Sequence, residues 1–169
     1  KSGVNCHNVA SLGLKFNGVD MTLAKFQQTF PSPILNDNGA VAIFYLDDPF
    51  QGAATFTASA TTSGGGVNGG WVGILGLTGT ADGVSNTAGT TYDDGAAGVK
   101  GTSIVTTVNN SLIIAGIENS GSNNLGGSPN PPTVVAPLVL SNNGSWGSSW
   151  AAGAAGYQFV ASRGTKVNP

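Results

Sequence analysis

Leu12-Gly13-Leu14-Lys15-Phe16-Asn17-Gly18-Val19-Asp20-Met21-Thr22-Leu23 is the stretch on which the fold turns. Leu12, Leu14 and Phe16 alternate on one arm, and Val19, Met21 and Leu23 alternate on the other. Successive side chains of a strand point to opposite faces, so each arm reads as a strand with one apolar face. Asn-Gly readily adopts positive φ at both central positions, as a type I′ turn requires. The stretch predicts a β-hairpin with one buried face.

The same pattern continues outward. Val41–Leu46 reads as an apolar central strand with both faces covered, and Asp47–Gly52 as a turn. Ala54–Ala60 alternates small apolar and hydroxyl residues, as a half-exposed strand does. Trp71–Leu77 reads as a core strand whose glycines mark a bulge or close packing. Residues 79–101 read as a long polar excursion. Ser103–Val108 and Ser111–Ile117 form a second predicted hairpin, around Asn109-Asn110. Thr133–Leu140 is a strand interrupted by Pro137, hence an edge or bulged strand. Asn142–Gly144 reads as a turn and Gly156–Ala161 as the last clear strand. The best helical stretch, Met21–Thr29, reads equally well as a strand. Short apolar runs cut by Gly, Pro and Asn clusters predict an all-β chain of about ten strands. The expected architecture is an antiparallel β-sandwich, jelly-roll or immunoglobulin-like, over residues 11–169, preceded by an N-terminal segment of residues 1–10.

Composition narrows the function. Of 169 residues only 8% are charged, the net charge is −2 and the pI is about 4.9. No basic stripe is present to neutralise nucleic acid or bind an anionic membrane surface. No apolar run reaches the roughly 18–20 residues a spanning helix needs. The polar surface must come from Ser, Thr, Asn and Gly.

Catalytic chemistry finds little to work with. His7 is the sole histidine and Cys6 the sole cysteine. They are adjacent, so on a strand they point to opposite faces, which does not suit a nucleophile–base pair. Glycoside hydrolysis needs two facing carboxylates, and Glu118 is the sole glutamate. The aspartates fall mostly at turns, where they bond their own backbone. The expectation is a chain that is not an enzyme and has no resident cofactor. Asp47, Asp48, Asp93 and Asp94 could offer hard oxygen ligands to Ca²⁺, although solvated turn carboxylates are the plainer reading. One Cys and one His cannot build a four-ligand zinc site.

Two other kinds of site stand out. Asn109-Asn110-Ser111 and Asn143-Gly144-Ser145 are glycosylation sequons in predicted turns, making Asn109 and Asn143 candidate acceptors. Trp146 and Trp150 lie four apart around a loop-like Gly147-Ser148-Ser149. They are candidates for stacking sugars, with Trp71 and Tyr157 read as core.

Several segments together resemble a family of β-sandwich modules found in large secreted and surface proteins of bacteria. They are Phe16–Leu23, Val41–Pro49, Gly73–Gly79, Asn110–Gly116 and Gly156–Ser162. The resemblance implies an extracellular or cell-surface location and a sandwich architecture. Such modules usually carry strands before the Asn-Gly hairpin and a further apolar strand after the segment matching Gly164–Val167. The comparison leads to the expectation of a sandwich lacking edge strands. The expected partners are then copies of the same chain, polymerising head-to-tail with terminal segments completing the neighbouring sandwich. The leading expectation is a structural subunit of an extracellular fibril, appendage or surface layer. The alternative is a carbohydrate-binding or adhesive module of a larger secreted protein, with glycans as partners. Neither reading involves nucleic acid or membrane insertion.

Overall fold

The structure is a computed structural model, and it describes residues 9–28, 40–62, 72–89, 101–119, 138–146 and 151–167. The described residues contain ten strands and no helix. In chain order these are β1 (Val9–Phe16), β2 (Val19–Asp20), β3 (Thr22–Gln28), β4 (Ala40–Tyr45), β5 (Phe56–Thr62), β6 (Ile104–Val105), β7 (Ser111–Asn119), β8 (Val139–Trp146), β9 (Ala151–Val160) and β10 (Lys166–Val167). They form four small antiparallel sheets, ordered β2-β1-β5, β3-β4, β10-β6 and β7-β9-β8.

The Asn-Gly turn forms as expected. Asn17 and Gly18 take φ of 51° and 83°, and Phe16 pairs with Val19 across the two-residue loop. Lys15 faces Asp20 in the next pair, and their side chains meet at 2.8 Å. The second arm is shorter than its alternation implies. After the Met21 amide donates to the Leu14 carbonyl at 2.9 Å, the chain leaves β1 and enters β3, which pairs with β4 instead. Val19 and Leu23 are exposed, so the hairpin does not bury a continuous face. Phe16 is the packed end of β1: it lies opposite Phe56 of β5, with the rings edge-on at 4.9 Å. The stretch that reads as helix or strand, Met21–Thr29, is the strand β3 from Thr22 to Gln28.

Three other expectations change. Ser103–Val108 and Ser111–Ile117 do not pair: β6 pairs with β10, and β7 with β9. The Asn109-Asn110 turn is real, with Asn110 at φ 54°, but it redirects the chain between sheets. Asn142–Gly144 is not a turn. It lies inside β8, paired with β9 past a register shift between Leu140 and Asn142. Residues 72–77 form no strand, and Val72, Ile74, Leu75 and Leu77 are exposed. Glycines at 73 and 76 leave this run without the regular β-branched surface that favours pairing. Trp71 lies outside the described residues.

β7 and β9 hold the main buried cluster. Ile113 and Val160 lie on one face of this sheet and pack with Val167 of β10, flanked by half-buried Ile104 of β6. Thr106, just after β6, is the buried polar residue among them, 6% exposed. Its amide donates to the Thr165 carbonyl at 3.1 Å and its carbonyl accepts the Gly164 amide at 2.7 Å. Its hydroxyl donates to the Ser162 carbonyl at 2.8 Å and accepts the Thr165 amide at 3.1 Å. These bonds fasten β6 to the 162–165 turn over the apolar cluster and satisfy the buried hydroxyl, which would otherwise be costly.

Candidate functional site

The opposite face of the β7-β9-β8 sheet is only partly covered. Register places Leu112, Ile114 and Gly116 of β7 beside Phe159, Tyr157 and Ala155 of β9, with Val139 of β8 next to Tyr157. At the Gly116 end the sheet meets β4. A Cβ on Gly116 would lie 3.4 Å from Val41 Cγ2 and 3.9 Å from Ile43 Cγ1, so the missing side chain is what lets the two strands approach. At the other end Phe159 is 72% exposed, Val139 51% and Ile114 39%. Tyr157 stands edge-on to Phe159 at 6.1 Å and is half-buried, so it is not the core residue its apolar surroundings suggest. Scattered exposed apolar residues are ordinary, but these lie together on one sheet face, which makes the face a candidate contact surface.

The second surface feature is β5. Its burial pattern leaves Thr57 through Thr61 exposed on both faces, and among the described residues it pairs with β1 alone. It carries no charge and no proline, the devices that usually protect an edge strand from pairing with another chain.

The sequence candidates for ligand chemistry are scattered. Asp47 and Asp48 follow β4 in an exposed loop; Asp48 has φ 48°, and Asp47 Oδ1 accepts the Gly83 amide at 3.2 Å. This bond ties the loop to a segment 36 residues away and is not the local turn bond the sequence leads one to expect. Asp93 and Asp94 lie outside the described residues, as do Cys6, His7 and Trp150. Glu118 falls near the end of β7, opposite Gly153 of β9. Trp146 closes β8 as a strand residue, opposite Ala151. An open hollow of about 360 Å³ lies beside Leu23, Tyr45 and Asn86. The Asn86 amide is committed at both ends, donating to the Val105 carbonyl and accepting the Thr87 amide, each at 2.9 Å.

The two sequons differ in setting. Asn109 is exposed in the turn before β7; its Oδ1 accepts the Arg163 amide at 2.9 Å, while Ser111 Oγ donates to the Val108 carbonyl at 2.7 Å. Asn143 sits in the ladder of β8, paired with Ala154, and not in the turn its sequence predicts. Sequence reasoning did not single out β5 as a candidate contact strand, because a Thr/Ala/Ser run reads as an unremarkable half-exposed strand. Its lack of charge and the symmetric run Thr57–Thr61 were the available signals. The comparisons with known proteins return no matching family model, no matching curated protein and no matching solved structure.

Proposed function

We propose that the chain is a non-catalytic structural subunit of an extracellular fibril, appendage or surface layer, held in its assembly by strands supplied between copies. The observation that carries this reading is, among the described residues, a β5 edge without charge or proline, together with large apolar residues left on the surface. β5 offers an uncharged edge, and Phe159, Val139 and Ile114 form an exposed apolar group on a sheet face. A chain with 8% charged residues has few of the charges that keep a free subunit apart from its neighbours. The two features lie on different sheets and offer two kinds of contact: main-chain bonds along the β5 edge, and apolar burial on the β7-β9-β8 face.

In this reading the sheets stack as the layers of a sandwich, with Gly116 of β7 against Val41 and Ile43 of β4 as one contact between them. The resemblance of the short apolar motifs to surface modules points the same way. Electron microscopy and sedimentation of the purified chain over a wide concentration range test the proposal. Ordered oligomers or fibres are expected. Dispersed monomers under all conditions refute it.

A further inference from the structure

We propose that β5 is a two-fold contact, pairing antiparallel with β5 of a second copy in a register centred on Ser59. This deepens the assembly reading above and rests on it, by naming one edge, one partner and one register. Three observations meet at this strand.

The first is sequence symmetry. Thr57-Ala58-Ser59-Ala60-Thr61 reads the same in both directions. A two-fold interface must be self-complementary, each residue facing the residue its symmetry mate faces in return. Antiparallel pairing about Ser59 sets Thr57 against Thr61, Ala58 against Ala60 and Ser59 against itself. Thr pairs directly across strands are among the favourable ones, and no like charges meet.

The second is the direction of the backbone groups. Asn17 donates to the Thr55 carbonyl at 2.9 Å, in the same register that pairs Phe16 with Phe56. Hydrogen-bonded and non-bonded pairs alternate along an antiparallel ladder. Lys15–Thr57 and Gly13–Ser59 are therefore the bonded pairs, while Leu14–Ala58 and Leu12–Ala60 are not. The Leu14 carbonyl accordingly turns the other way, accepting the Met21 amide at 2.9 Å. The amides and carbonyls of Ala58 and Ala60 thus point away from β1. In the register centred on Ser59 these two residues meet each other's mates and exchange bonds across the interface. A shift by one residue would face their groups with inward-turned ones.

The third is room on the axis. A Cβ on Gly13 would come within 2.7 Å of Ser59 Oγ, so the Ser59 hydroxyl lies over the gap left by that glycine, toward β1. Two serines facing each other as a non-bonded pair come close at their α-carbons, and a hydroxyl directed back over Gly13 leaves the axis clear. The result would be one continuous sheet, β2-β1-β5 joined to its mate.

The test is sedimentation equilibrium of the full chain, with circular dichroism to verify folding, for wild type, Ser59→Lys and Ala58→Pro. Lysines would face each other on the axis, and proline would remove an outward amide that β1 does not use. Each variant is expected to weaken dimerisation at least about tenfold. In a Cys6→Ser background, Ser59→Cys is expected to give a covalent dimer under mild oxidation. A non-bonded pair places α-carbons about 4.5 Å apart, within disulfide reach. Thr57→Cys, off the axis, is expected to cross-link far less. Folded variants that associate like wild type overturn the β5 contact while leaving self-assembly through another surface intact. So does cross-linking favoured at Thr57→Cys. Wild-type chain that is monomeric at every concentration overturns both proposals.

Discussion

Thr106→Val replaces a buried hydroxyl with a methyl of nearly the same volume. The hydroxyl donates to Ser162 O at 2.8 Å and accepts the Thr165 amide at 3.1 Å, and both bonds are lost. A neutral intramolecular hydrogen bond contributes roughly 1 kcal/mol net, and stranding a buried partner adds to the loss. Ser162 O retains the Thr165 hydroxyl at 2.8 Å. Thr165 is exposed, so water can reach its amide. The expected cost is about 2 kcal/mol, near the sum of the two bonds without a large stranding penalty. For a domain of this size that corresponds to a melting temperature about 4–8 °C lower. Calorimetry or urea denaturation reads it directly. Thr106→Ser keeps the hydroxyl and loses only a methyl, so it should fall less than half as far. Hydrogen exchange should speed up at the Gly164 and Thr106 amides. If Thr106→Val melts with wild type, the hydroxyl's two bonds to the 162–165 turn contribute nothing and the reasoning fails.

Other substitutions probe separate features. Gly18→Ala meets nothing within 4 Å, so only backbone strain at φ 83° opposes it; a loss of about 1 kcal/mol by chemical denaturation is expected. Gly116→Val should cost about 1–3 kcal/mol by overpacking, because its Cβ would already touch Val41. Calorimetry should find Gly116→Ala much milder. The Lys15–Asp20 pair spans the first turn with side chains 47% and 80% exposed. A double-mutant cycle should give less than about 1 kcal/mol, fading with added salt.

Local turn chemistry was the most legible part of the fold. Asn17-Gly18 announces its own geometry, because only a few residues accept positive φ at both positions. The Asn109-Asn110 turn was readable as well, since Asn tolerates the positive φ that Asn110 adopts, but its strands were not. Ser103–Val108 has the composition of a hairpin arm, yet Val105 pairs with Lys166 and Thr106 bonds to Thr165. Partner choice depends on contacts some sixty residues away, which no local pattern encodes. Asn142–Gly144 misled for the converse reason: turn-forming residues enter a strand when a partner such as β9 supplies the ladder. The candidate assembly surface was partly legible, in the low charge and the palindrome around Ser59. That this palindrome occupies an edge among the described strands, with the amides of Ala58 and Ala60 turned away from β1, required the register with β1.

The Thr106 fastening also bears on how the chain reaches this state. Its hydroxyl bond to Ser162 closes a separation of 56 residues. The β1–β5 ladder likewise joins segments some forty residues apart. Among the described strand pairs, the Asn17-Gly18 turn connects the most local one. Loop-closure entropy must be met before such distant pairs are rewarded, which places folding in the millisecond-to-second range typical of non-local β topologies. During that interval the Ala58 and Ala60 backbone groups are present but not yet aligned. Encounters between copies before folding therefore lack a fixed register, and slow refolding at low concentration should favour ordered association over amorphous precipitate.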